Sequence, residues 1–325
     1  MAGFILLGAM LTVYVLLDGY DLGTAAISPL VAKTAQERAD AMRSIGPFWN
    51  GNEVWLIAAG GTLFALFPKA YASSFSGFYL PFTIVLWLLM FRGLAMELRN
   101  HFTSNLWRDF WDVAFSGAST LLILLLGVAL GNLVRGVPLD PNGYFVGTFG
   151  FLLNPYALLV GLLAVASLAL HGALWLAMTA RAELARRSLA VAPLGVAIVA
   201  ALYVAATAYT FAMHDVDGIA WWVGLLPLIS LGGLAGVFVA ARLARPGAAF
   251  ACSSLFLASL LSAAAASIYP FIVPSFPRGG GISAAGAMPG DARVLIFAVA
   301  IAGLIAVIAY SIVVARSFTR DAQNR

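Results

Sequence analysis

Nine stretches of this sequence are long and apolar enough to cross a lipid bilayer as helices: 4–31, 45–67, 72–96, 110–132, 151–180, 189–213, 221–241, 250–273 and 294–314. A spanning helix needs about 20 mainly apolar residues, since only a helix or a closed barrel satisfies its backbone polar groups in hydrocarbon. The polar balance points the same way. Of the 325 residues, 62% are hydrophobic and 10% charged, against about 25% charged in a soluble domain. Such a chain cannot make a charged, hydrated shell, which excludes a cytosolic enzyme, a secreted domain and a disordered protein. The runs are helix-length rather than alternating strands of about 10 residues, which argues against an outer-membrane barrel. The expectation is an all-α polytopic membrane protein, a single integral membrane domain over 1–325 with about nine transmembrane helices. The first run has no basic leader and is interrupted by Asp18 and Asp21, so it reads as a helix of the mature protein, not a signal peptide.

Basic residues give the orientation. Thirteen of them, from Lys33 and Arg38 to Arg325, fall in one set of connections and the C-terminal tail. Four (Lys69, Arg135, Arg278 and Arg293) fall in the other set, and Arg92 lies within a span. The positive-inside rule then places the N-terminus outside and the C-terminus in the cytoplasm. The spread of these charges does not suggest nucleic acid. The longest connections, about 133–150 and 274–293, are rich in Gly and Pro and read as outer loops without regular structure.

Ionisable groups inside a span are costly and therefore mark function. The first helix carries Asp18 and Asp21, whose i, i+3 spacing puts both on one face, with Gly19 and Gly23 allowing a close helix approach. The second carries Asn50, Asn52 and Glu53, with Asn50 and Glu53 again i, i+3. The third carries Arg92 and, at its end, Glu97 and Arg99. Asp18 and Asp21 lie roughly 15–20 Å from the inner end of their helix, and Asn50 and Glu53 roughly 8–12 Å from theirs. All fall in the cytoplasmic half. Two readings stand together: a proton or cation route through Asp18, Asp21, Asn50 and Glu53, or polar groups that tie helices, with Arg92, Glu97 and Arg99 as ion-pair candidates.

Redox and metal chemistry finds little support in the residues. Of three histidines, only His171 is mid-span and a candidate axial haem ligand, and a lone intramembrane His more often packs or hydrogen-bonds. His101 sits in a connection and His214 at an outer helix end beside Asp215 and Asp217. There is one cysteine, Cys252, and no Cys-x-x-Cys-His, phosphate loop or His-Glu-x-x-His, so no metal site is expected. Trp221 and Trp222 read as an interfacial belt. The residues alone leave open a subunit of a redox complex, a secondary transporter, or a non-redox membrane anchor of another complex. Transporters favour internal repeats with broken helices, and the Gly and Pro interruptions here do not fall in matching halves.

Several motifs carry a resemblance: Asp18-Gly-Tyr-Asp-Leu-Gly23, Ile45-Gly-Pro-Phe-Trp-Asn-Gly-Asn-Glu-Val-Trp-Leu56, Gly60-Gly-Thr-Leu-Phe-Ala-Leu-Phe-Pro68, Ser76-Gly-Phe-Tyr-Leu-Pro81 and Phe91-Arg-Gly-Leu-Ala-Met-Glu-Leu-Arg99. Together they resemble subunit II of the cytochrome bd-type quinol oxidases, including the cyanide-insensitive branch. The match is dense over about 14–100, and Ser267-Ile-Tyr-Pro-Phe-Ile-Val-Pro-Ser275 resembles the family's motif before the last helix. The resemblance implies two four-helix bundles plus a peripheral helix, in the bacterial plasma (inner) membrane. It implies a heterodimer with a similarly folded subunit I that holds the b-type and d-type haems and oxidises quinol, with none of the haems ligated by this chain. It also admits a structural quinone and a small single-helix accessory subunit. The implied complex reduces dioxygen with protons taken from the cytoplasm, and subunit II supports assembly and a proton route. Many members have Asp where this chain has Asn50, so Glu53, Asp18 or the partner must supply the titrating group.

Overall fold

The structure, a computed structural model, describes residues 1–213, 224–277 and 279–286, with 297–298, 301–303, 305 and 309 beyond them. Twelve helices lie among these residues. They are α1 (Ala2–Val31), α2 (Ala35–Ile45), α3 (Trp49–Leu66), α4 (Pro68–Gly77), α5 (Tyr79–Leu98) and α6 (Asn105–Arg135), followed by α7 (Phe149–Leu152), α8 (Pro155–Thr179), α9 (Ala182–Ala190), α10 (Ala192–Met213), α11 (Leu225–Arg242) and α12 (Pro246–Ile268).

Local chemistry sets the boundaries. Thr34 caps α2 with a full capping box: its side chain accepts from the Glu37 N–H and the Glu37 carboxylate accepts from the Thr34 N–H. Asn154 caps α8 by accepting from the Ala157 N–H, with Pro155 in the first turn, where its missing N–H costs nothing. Seven stretches are long and apolar enough to cross a membrane: α1, α5, α6, α8, the α9–α10 run, α11 and α12. The second expected span appears as the 18-residue α3, whose opening turns hold Asn50, Asn52 and Glu53 and lower its hydropathy. The ninth, 294–314, lies largely outside the described residues, as do His214, Trp221, Trp222, Arg278, Arg293 and the C-terminal arginines.

Five expected spans are subdivided, among them 151–180, divided between α7 and α8, and 189–213, which opens on the end of α9 before α10. The run 45–67 begins as a turn after α2, and 72–96 is divided between α4 and α5. The run 250–273 stops at Ile268, because Pro270 cannot continue a helix, and Phe271–Pro274 form strand β1 instead. β1 pairs antiparallel with β2 (Gly281–Ser283). The connection expected to lack regular structure is therefore in part a hairpin, and Val137 bridges to Ser275 beside it.

Two groups of four long helices pack side by side. In the first, α1 packs on α3 and α6, and α5 packs on α6. In the second, α8 packs on α10 and α12, and α11 on α10 and α12. α8 joins the groups by packing on both α1 and α6. The α1–α8 crossing is a backbone contact: a Cβ on Gly23 would sit 1.8 Å from the Leu168 carbonyl oxygen, and one on Gly172 would sit 2.1 Å from the Gly23 carbonyl carbon. Without a hydrophobic driving force between helices in lipid, such close approach and interhelical hydrogen bonds hold the bundle. Ser230 and Ser259 share one at 2.8 Å between α11 and α12.

Candidate functional site

The long apolar face of α1 is broken at one level by Asp18 and Asp21, both fully buried. α5 brings Arg92, also fully buried, to the same level. Its guanidinium donates to both carboxylate oxygens of Asp18, at 2.7 and 3.2 Å, and to Glu53 Oε1 on α3 at 2.9 Å. Asp21 lies 3.9 Å from the same guanidinium. One cation is thus shared by three carboxylates from two helices. A guanidinium fork suits this, since its donors lie in a fixed plane and it stays charged.

Asn52, one residue before Glu53, completes the ring. Its side-chain amide donates to Asp21 Oδ2 at 2.8 Å and to the Tyr20 hydroxyl at 3.0 Å. Tyr20 stacks on Trp175 of α8, with ring centroids 4.1 Å apart. Two polar atoms of the ring, Asp21 Oδ1 and Arg92 Nε, are buried without a hydrogen-bond partner in the chain. Glu53 is the member nearest the surface, with 23% of its side chain exposed.

Asp18, Asp21, Glu53 and Arg92 are therefore brought together, and Asn50 is not. Asn50 is exposed on another face of α3, while Asn52 takes the inward position. Glu97 is exposed at the end of α5. Arg99 belongs to a second network. It donates to both oxygens of Asp112 on α6, at 2.5 and 3.1 Å, and to the Ala35 carbonyl oxygen. Arg38 of α2 donates to Asp112 at 2.7 Å and to Asp109 at 3.2 Å. This network fixes α2 against α5 and α6. Arg187 of α9 pairs with Glu37 of α2 and ties the two bundles at the same end. Burial pushes the Glu37 carboxyl up, but the N–H groups of Lys33 and Thr34 and the Arg187 guanidinium outweigh it and hold the group below the usual carboxylate range.

His171 does not fit an axial ligand. Both ring nitrogens are engaged, one with Ser253 Oγ at 2.9 Å and the other with the Leu16 carbonyl oxygen at 3.2 Å, and the ring stacks on Phe250. The residue joins α8 to α1 and α12. Among the described residues, no three His, Cys, Asp or Glu side chains are grouped so as to hold a metal ion.

Comparison with known proteins identifies the family. The family model for cytochrome bd terminal oxidase subunit II matches residues 1–318. The chain is 33% identical over 315 residues to cytochrome bd-I ubiquinol oxidase subunit 2 of Escherichia coli K12, covering 84% of this chain and 81% of that one. It is 30% identical over 301 residues to cytochrome bd ubiquinol oxidase subunit 2 of Bacillus subtilis, covering 91% and 88%. The bd oxidase structure from Geobacillus thermodenitrificans contains a chain of the same fold, with TM-score 0.74 at 21% identity, covering 98% of this chain and 99% of that one. This multi-pass membrane chain belongs to the family of cytochrome bd terminal oxidase subunit II.

Proposed function

We propose that this chain is the subunit of a quinol oxidase that ligates no haem, and that the ring of Asp18, Asp21, Glu53 and Arg92 lies on a proton route from the cytoplasm to the haem-bearing subunit I. Haem ligation and quinol oxidation then belong to the partner, in keeping with the engaged nitrogens of His171. A structural quinone and a single-helix accessory subunit are compatible with this reading. The N-terminus is outside and the C-terminus cytoplasmic, on the basic bias of the connections.

The observation that carries the proton route is the charge count of the ring. Three carboxylates face one guanidinium, and Asp18, Asp21 and Arg92 are fully buried. Surplus negative charge is expensive in low dielectric, and carboxylates that share a site titrate as a unit. Such a ring reduces its surplus negative charge by holding protons and can pass them on. Asp21 Oδ1 and Arg92 Nε can each make a further hydrogen bond, and buried polar atoms of this kind commonly bind water. Glu53 supplies the carboxylate that Asn50 does not, one helical turn further along α3 and bonded to Arg92.

Oxygen consumption by the Glu53→Gln complex tests this. Gln retains a hydrogen-bonding oxygen for Arg92 but cannot titrate. The expected result is slower turnover at unchanged haem content, with Asn50→Asp tolerated. Unchanged turnover in Glu53→Gln, together with failed assembly in Glu53→Leu, would leave Glu53 a structural hydrogen-bonding group.

A further inference from the structure

A cavity of about 510 Å³ opens at the α2 end of the first bundle. Its polar lining comes from Gln36 and Arg43 of α2, Glu97, Arg99 and Asn100 at the end of α5, and Arg108 of α6, and Trp49 stands at the start of α3. The volume is ample for a group of waters, each of which takes about 30 Å³ in the liquid. Neither the cavity lining nor its mouth includes Asp18, Asp21 or Arg92. Trp49 connects the two places. Its ring lines the cavity, and the Arg92 guanidinium carbon lies 5.8 Å from the ring centroid. The ring rests against the backbone of α5, where a Cβ on Gly93 would meet it at 3.5 Å. Trp49 is also one turn before Glu53 on α3, about 6 Å along the axis.

We infer that the cavity is a hydrated vestibule that brings water and protons to the ring, and that Trp49 is the seal between them. The inference rests on the proton-route reading and adds its entrance and its barrier. The indole is large and apolar at its face, so it interrupts a water file, while its π surface holds the guanidinium by a cation–π contact. Arg92 thus has two tasks, pairing the carboxylates and keeping the ring of Trp49 in place. Glu97 is the carboxylate among the lining residues, beside Arg43, Arg99 and Arg108, and is itself exposed. Trp49 is a positioning residue. Replacing it should change access to the buried ring before it changes the ring's own groups.

Thiol labelling in the assembled complex tests the seal separately from the route. In membranes of a Cys252→Ser background, a small, membrane-impermeant cationic thiosulfonate is applied from the α2 side. Gln36→Cys should label fast whether or not Trp49 is present. Asn52→Cys, buried in the ring, should label slowly with Trp49 in place. It should label about ten-fold faster with Trp49→Ala, the factor expected from removing a barrier of ~1.4 kcal/mol. Trp49→Phe, which retains a ring, should restore slow labelling, and Trp49→Leu replaces the Ala variant if that one fails to assemble. Equal labelling of Asn52→Cys with and without Trp49, or no labelling of Gln36→Cys, overturns the inference. If the proton route itself is wrong, Glu53→Gln turns over normally while this labelling pattern persists.

Discussion

Replacing Arg92 by Met should destabilise the assembled complex more than any other single change in the ring. Arg92 makes two hydrogen bonds to Asp18 and one to Glu53. Asp18 and Arg92 have no exposed surface, so removing the cation leaves a buried anion without its counter-charge. Breaking a buried pair in this way costs about 3–5 kcal/mol. The Glu53 bond adds less, because its carboxylate is partly exposed and screened. The temperature at which the haem absorbance of the complex is lost should fall by on the order of 5–10 °C. Arg92→Lys keeps the charge but loses the fork, so it should fall between the two. Arg92→Met combined with Asp18→Asn should recover at least about 1 kcal/mol relative to the sum of the single changes, the coupling expected of residues in direct contact. A native melting profile for Arg92→Met, or strict additivity in the double variant, would refute the claim that the pair holds α5 to α1.

The α1–α8 crossing predicts that Gly23→Ala is disruptive, costing about 1–3 kcal/mol or more as the helices move apart. Gly8→Ala on the same helix should be neutral, since nothing lies within 4 Å of its added Cβ; thermal loss of assembly in detergent compares the two. Because the Glu37 carboxyl is held below its usual range, its contribution is present above the ordinary carboxylate range and is lost as pH falls through its lowered value. Native protein and Glu37→Gln should therefore differ in thermal stability above about pH 5 and converge in acid, a comparison that a pH series of melting curves makes directly.

The membrane fold was legible because hydropathy reports directly on which segments can leave water. The buried charges were legible for the same reason: Asp18, Asp21, Glu53 and Arg92 stand out against apolar runs, and a charge there needs a partner. What hydropathy does not carry is helix phase. Asn50 and Asn52 differ by two residues, about 200° around α3, and only the packing of α3 on α1 reveals that Asn52 faces Asp21. Asp112, inside the expected span 110–132, stands in sequence without its partners, because Arg99 and Arg38, from which it accepts, come from α5 and α2. The joint between α4 and α5 leaves the apolar run unbroken, so 72–96 reads as one span. The β1–β2 hairpin depends on pairing across a Gly- and Pro-rich turn, and its residues show no strand alternation long enough to signal it.

The proton route is tested most directly by the kinetics of proton uptake. Complex reconstituted in vesicles, pre-reduced and mixed with a pulse of dioxygen, takes up protons that a pH-sensitive dye outside can follow, while haem absorbance follows oxidation in the same shot. If the ring lies on the route, Glu53→Gln and Asp21→Asn slow proton uptake in step with turnover and leave the first oxidation of the haems unchanged. If both variants take up protons at the native rate, the ring is a structural ion cluster, and the protons that reach dioxygen travel through the partner subunit.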